Sequence, residues 1–308
     1  MRVFVVIATK GRARETMRLL DCLQGQTRTP DFTVIVGSET ADLENIDHHS
    51  LINSGRAIAV VSPRAGSTYQ RNFGLEILEQ AGYCTPEAGR FFCAFFDDDY
   101  RPSNDWLERA AERFRREDIV GLTGRILADG VTRGGLTEDK AKCFLDGTAM
   151  PERHYWTGGV DERETDSVYG CNMAFVDTVV RQIHFDENLP LYAWQEDRDY
   201  TGMAQKLGRV IHFPECRGVH LGVGNGRTSG VRFGYSQIAN PFYLMKKGTM
   251  DYRTGISQMS RNIAANVIRG VLKAHPHIDY RGRMRGNGLA FRDLVTLRLD
   301  PRNILYLH

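Results

Sequence analysis

Three consecutive carboxylates, Asp97, Asp98 and Asp99, follow the apolar run Phe91-Phe92-Cys93-Ala94-Phe95-Phe96. Adjacent carboxylates repel one another, and beside a core they are costly unless a cation compensates. Hard oxygen ligands suit Mg2+ or Mn2+ shared with substrate phosphates. The plainer alternative is a solvated acidic turn capping the next helix. A second acidic pair, Glu196-Asp197, follows Trp194-Gln195 and opens a helical segment, where the helix dipole favours anions. His220 stands alone past an apolar stretch, a place where a histidine is often structural. The run Gly222-Val223-Gly224-Asn225-Gly226 is too flexible for core and suits a moving lid. Arg227 and Arg232 beside it either close on a diphosphate as bidentate donors or stay solvated. Trp194, and Trp156 with Tyr155, either stack on the apolar faces of sugars or pack in the core.

The surrounding pattern predicts what must position these groups. Residues 3–7, 33–36 and 57–61 are short β-branched runs, and 91–96 is a fourth, as expected of strands covered on both faces. Between them lie helical stripes, Met17, Leu20 and Leu23, then Tyr69, Phe73 and Ile77. Strand and helix in alternation with short connections predict right-handed βαβ units and a mostly parallel, Rossmann-like sheet flanked by helices. The second half is less regular. Strands are predicted over 119–123, 168–176 and 210–213, and a helix over 196–207. Residues 125–166 are polar and glycine-rich and predict a long functional loop region. Residues 253–273 are amphipathic, with Ile256, Met259, Ile263, Val267 and Val271 on one face and Arg261, Arg269 and Lys273 opposite.

Composition narrows the classes. The 308 residues are 42% apolar and 25% charged, ordinary for a soluble globular chain. No apolar run approaches the roughly 18 residues that span a bilayer, and no leader pattern is evident, so the cytoplasm is the expected address. The six cysteines show neither C-x-x-C pairing nor zinc spacing. A net charge of +2 gives no general argument for nucleic acid, and none is expected as a partner. From Asp251 onward, however, ten Lys and Arg face four Asp and Glu. That basic segment suits an anionic membrane surface, while its apolar stripe equally suits packing on the catalytic domain or on another copy of the chain.

The order of the pieces resembles the inverting family 2 glycosyltransferases of GT-A fold over residues 1 to 225. Val5-Val6-Ile7-Ala8-Thr9-Lys10-Gly11-Arg12 is similar to their opening strand and loop. Gly66 to Leu75 resembles their G-x-x-x-A-R-N-x-G-L helix, and Phe95 to Pro102 their F-x-D-D-D, two residues and proline. Gly170 to Phe175 resembles G-x-N-x-A-F, Glu196-Asp197 their E-D pair, and Val219-His220 their later histidine. Each motif alone is weak; six in order are specific. The likeness departs after the second strand, where Gly37-Ser38-Glu39 stands in place of D-D-G-S, leaving Glu39 or backbone to meet the base.

The resemblance implies sugar transfer from a nucleoside-diphosphate donor, a UDP-sugar being favoured, to a saccharide or lipid-linked acceptor. It implies Thr9, Gly11, Arg12, Glu39, Arg71, Asp97 and Asp98 at the donor, and Asp97, Asp99 and His220 at a Mn2+ or Mg2+ ion. Asp197 would be the general base, with Glu196 in support, and Trp156, Trp194, Arg227 and Arg232 would meet the acceptor or form the lid. Residues 1–103 would form the donor half, 104–250 the acceptor and catalytic half, and 251–308 a basic helical extension. Two other Asp-rich classes fit less well. A haloacid-dehalogenase-type phosphatase wants Thr or Val where Tyr100 stands, and a nucleotidyltransferase wants a phosphate loop that Ala8-Thr9-Lys10-Gly11 lacks. A non-catalytic nucleotide-sugar or carbohydrate-binding domain is the alternative of a different class.

Overall fold

The computed structural model describes residues 1–307 apart from 86, 88, 153–156, 225–227 and 276. In chain order the elements are β1 (Arg2–Thr9), α1 (Ala13–Gln24), β2 (Phe32–Gly37), α2 (Ser50–Asn53), β3 (Ala57–Val61), α3 (Ser67–Gln80), β4 (Phe91–Asp97) and β5 (Tyr100–Pro102). There follow α4 (Trp106–Arg113), β6 (Ile119–Asp129), α5 (Glu138–Leu145), β7 (Arg163–Glu164), β8 (Asn172–Val176), α6 (Asp177–Val180), α7 (Glu196–Ala204) and β9 (Arg209–His220). Three helices close the chain: α8 (Gly230–Lys247), α9 (Tyr252–Leu272) and α10 (Tyr280–Val295).

One sheet runs β3-β2-β1-β4-β8-β6-β9-β5, with β7 pairing beside β9. Strands β1, β2, β3, β4, β6 and β9 share a direction, while β8, β5 and β7 oppose it. The chain is therefore the expected α/β, Rossmann-like sheet flanked by helices, with helices at its C-terminal end. Val3 to Ile7 and Phe91 to Phe95 are fully buried, which explains their unbroken apolar composition. β1 lies between β2 on one side and β4 on the other, so a topological switch point falls at the carboxyl ends of β1 and β4, where open α/β sheets bind ligands. Register pairs Ala8 with Asp97, bringing the Thr9 loop and the aspartates to the same edge.

Helix α3 departs from its expected orientation. Tyr69, Phe73 and Ile77 are only half-buried, while Gln70, Arg71, Asn72 and Gly74 face inward. A Cβ on Gly74 would stand 2.6 Å from a Val6 methyl, so the missing side chain lets α3 lie tight against β1. Gln70 Nε2 then donates to the carbonyls of Thr9 (2.9 Å) and Val36 (2.7 Å), tying together the ends of β1 and β2. A polar inward face is what a helix over strand ends requires, and a periodicity of apolar residues cannot reveal it.

The second half is more ordered than its composition suggests. The stretch read as loop over 125–166 contains the end of β6, helix α5 and strand β7. β9 does not stop at Phe213; it runs through Pro214 to His220, with register shifts against β6 absorbing the irregularity. Helices α8, α9 and α10 pack on one another through a polar seam. Asn266 Nδ2 donates to Gln237 Oε1 (2.7 Å) and Asn287 Oδ1 (2.8 Å). This seam, with Gly255, is what α9 buries fully; of its apolar stripe Met259 packs against the cluster of Leu189, Ala193, Leu244, Met245 and Met250, while the other members lie exposed. Ile256, Val267 and Val271 are 55%, 45% and 75% exposed. Among the described residues no helix is long and apolar enough to cross a membrane.

Candidate active site

At the switch point lies a cavity of ≈ 800 Å³ bounded by the β1 loop, the start of α3, the end of β4, the 191–198 segment and the C-terminal helices. The three aspartates part company there. Asp98 turns inward: its carboxylate accepts from Thr9 Oγ1 (2.8 Å) and Arg12 (2.9 Å). Burial and then the charge of Asp99 push its pKa up, against the pull of Arg12. Asp97 is half-buried and receives Arg71 (3.0 Å). Asp99 is fully buried; Arg12 lies 3.3 Å from one oxygen, which also accepts the Val223 N–H (2.8 Å).

The other Asp99 oxygen, Oδ1, is buried with no hydrogen-bond partner, although His220 Nε2 lies 3.3 Å away. Asp97, Asp99 and His220 each offer an atom within 4.8 Å of the others. His220 Nδ1 sits 3.2 Å from Asp129, whose carboxylate also accepts the Tyr169 hydroxyl (2.8 Å) and the Val131 N–H (2.9 Å). Burial works against a charged His220, but Asp99 and Asp129 outweigh it and hold its pKa well above the ordinary value. An unpartnered buried carboxylate oxygen, a second carboxylate and an imidazole oriented from behind by a third carboxylate fit a divalent ion. Asp97, Asp99 and His220 thus form a possible metal site.

Across the cavity, Leu191, Ala193 and Gln195 adopt left-handed backbone (φ 59°, 51° and 78°), a conformation uncommon for non-glycine residues. Contacts from α3 hold this segment, including Ser67 N–H to the Leu191 carbonyl (2.8 Å) and Thr68 Oγ1 to that of Leu189 (3.0 Å). The segment delivers Glu196 and Asp197 to the first turn of α7. Glu196 is buried against Arg71 at 2.6 Å. Asp197 accepts from the backbone N–H groups of Gly170 (3.0 Å) and Arg198 (2.8 Å) and lines the cavity. Burial raises its pKa, and those two N–H groups partly restrain it. Arg71, buried itself, also donates to the Gly170 carbonyl (3.1 Å), so one guanidinium joins β4, α7 and the approach to β8.

Of the residues singled out from sequence, Thr9, Arg12, Arg71, Asp97, Asp98, Glu196, Asp197, His220, Trp194 and Arg232 border the cavity. Asp99 stands behind it, in the cluster with Asp97 and His220. Gly11 donates its N–H to buried Asp42 (2.5 Å). Glu39 is exposed outside the cavity wall, its N–H also bound to Asp42 (3.0 Å). Trp156, Tyr155 and Arg227 lie outside the described residues. Asp129, Tyr169, Gln70 and Asp42 were not anticipated; each acts by holding another residue, which leaves no local sequence pattern.

No family model matches the sequence, and no curated protein matches it. Solved structures do resemble it. Staphylococcus aureus TarS superposes with a TM-score of 0.53 at 16% identity, over 80% of this chain and 40% of that one. TarS 1-349 in complex with UDP gives 0.52 at 16% over 66% of that chain, and in complex with UDP-GlcNAc 0.53 at 15% over 67%. The chain shares its fold with TarS. The chain spans under half the length of full TarS, and at such identity the likeness concerns the arrangement of elements. The Asp97–Asp99–His220 cluster and the acidic pair of this chain rest on its own geometry.

Proposed function

We propose that the protein transfers a sugar, with inversion, from a nucleoside-diphosphate sugar to a hydroxyl of a saccharide or lipid-linked acceptor. A UDP-sugar is the favoured donor, since the fold is shared with a protein solved with UDP and UDP-GlcNAc. The observation that carries the reading is one cavity lined by Asp97 and His220 on one side, with Asp99 directly behind them, and by Asp197 on another, at the carboxyl ends of β1 and β4. Mn2+ or Mg2+ held by Asp97, Asp99 and His220 would supply positive charge to the departing diphosphate. Thr9, Arg12 and Asp98 fix the loop against which the donor lies. Asp197, ionised and steered by its two N–H partners, takes the proton of the acceptor hydroxyl. The oxygen then bonds to the anomeric carbon from the face opposite the diphosphate, which leaves with the electron pair of the broken C–O bond. Glu196, clamped by Arg71, keeps the first turn of α7 in place. Trp194 and Arg232 border the acceptor side. The exposed α9 stripe and its arginines would seat the enzyme on an anionic membrane on the cytoplasmic side.

The test is Asp197→Asn with a panel of nucleotide sugars and Mn2+. Donor affinity should persist while turnover falls about 10²–10⁴-fold. Fresh product should carry the anomeric configuration opposite to the donor by proton NMR. Retention, or failure of every nucleotide sugar to bind, refutes the reading.

A further inference from the structure

The cavity has two electrostatic ends. At the strand ends each guanidinium is neutralised, Arg12 by Asp98 and Asp99, Arg71 by Asp97 and Glu196. The facing wall, built from α7, α8 and α9, carries Arg198, Arg232 and Arg261. Among the described residues none of these three has a carboxylate within 4.0 Å. Arg232 is partly engaged, its Nε donating to the Leu307 carbonyl (2.9 Å). Arg198 Nε is buried without a hydrogen-bond partner, and so is Oε1 of both Gln195 and Gln258. All three side chains border the cavity. The wall therefore offers guanidinium forks with no carboxylate in contact, together with amide carbonyls lacking a donor.

Guanidinium forks match the oxygens of phosphate and carboxylate, and amide carbonyls accept from hydroxyls. Resting on the glycosyltransferase reading, we propose that this wall is the acceptor subsite. Its ligand is a polyhydroxylated molecule bearing an anionic group, phosphate or carboxylate, close to the attacked hydroxyl. Arg198 follows Asp197 directly, and its N–H binds the Asp197 carboxylate (2.8 Å), so the anion is held one residue from the proton acceptor. Arg261 reaches the same cavity from α9 on the exposed side, so the anionic group meets a cation on each of two helices.

The donor's own diphosphate offers the same chemistry, and the experiment separates the two. Protein saturated with UDP and Mn2+ is titrated calorimetrically with methyl glucoside, its 6-phosphate and methyl glucuronide. The anionic sugars should bind at least tenfold more tightly than the neutral one, with a preference that shrinks as salt is added. Arg198→Gln and Arg261→Gln should each erase about tenfold of that preference and leave UDP affinity unchanged. Arg261 is exposed, so its variant carries little risk to folding. Equal binding of neutral and anionic sugars, or no binding of either, overturns the proposal. So does a loss of UDP affinity in the variants, which would assign the wall to the donor. Failure of wild-type protein to bind UDP at all would count against the glycosyltransferase reading, and the same sugar comparison without nucleotide would still decide the anion preference.

Discussion

Replacing Arg71 by Met tests whether one buried cation holds the two acidic groups of the site in register. Arg71 is 3% exposed, and its guanidinium contacts Glu196 at 2.6 Å, Asp97 at 3.0 Å and the Gly170 carbonyl at 3.1 Å. Removing one partner of a buried ion pair strands the other, at a cost of about 3–5 kcal/mol. At about 2 °C per kcal/mol for a chain of this size, thermal unfolding should fall by about 6–10 °C. Glu196 carries the pH dependence. Burial and then Asp197 raise its pKa above the ordinary carboxylate value, and Arg71 opposes both. Without Arg71 the folded-state pKa rises further. A raised carboxyl pKa means that stability is lost as pH climbs from the unfolded pKa to the folded one. The penalty should therefore be larger at pH 9 than at pH 6, where Glu196 can take up a proton. Adding Glu196→Gln should recover part of the loss, because the stranded charge is gone. An Arg71→Met variant within 1 kcal/mol of wild type at pH 9, or strict additivity in the double variant, would refute the reasoning.

Asp99→Asn should abolish Mn2+-dependent nucleotide binding without unfolding the chain; unchanged calorimetric affinity in the presence of metal would remove Asp99 from the site. Asp129→Asn should weaken Mn2+ affinity about 10–100-fold, the usual effect of losing the partner behind a ligating histidine, and an unaltered affinity would leave that contact merely structural. Co-sedimentation with anionic liposomes should occur at low salt and decline as salt is added, each basic side chain near the surface contributing about 1 kcal/mol. Neutralising Arg281, Arg285 and Arg253 together should abolish it. Arg283 is left out because it stacks on Phe233 at 4.3 Å, and absence of binding at low ionic strength would leave the exposed α9 stripe for another partner.

Legibility from sequence followed how local each constraint is. β1 and β4 were plain because burial on both faces forces an unbroken apolar run. Asp97 to Asp99 stood out because a charged cluster at the end of such a run contradicts its surroundings. β9 runs past Phe213 although Pro214, Glu215 and Arg217 look like a loop, because residues 214–216 fall at a register shift and pairing with β6 resumes at Arg217. The inward turn of Gln70 and Arg71 was hidden because α3 covers polar strand ends. The segment before Glu196 gave no sign of its left-handed residues, since Leu191, Ala193 and Gln195 are not glycines. The amphipathicity of α9 was readable, but an apolar face does not say what covers it.

The Asp99–Val223 hydrogen bond joins residues 124 apart, and the Arg12–Val223 bond joins residues 211 apart. The site therefore cannot exist on a partly synthesised chain. An N-terminal strand, a mid-chain acidic turn and a strand from the last third must all be present, and closing loops of that span is entropically slow. Until β9 settles between β6 and β5, the aspartates stand without the histidine and the arginine clamp without its second anchor. During synthesis the unfinished chain is a sheet with an open edge and a concentrated negative charge, and unpaired edges make such intermediates prone to aggregate. An ion at Asp97, Asp99 and His220 would therefore load only once β9 has brought the histidine to the aspartates.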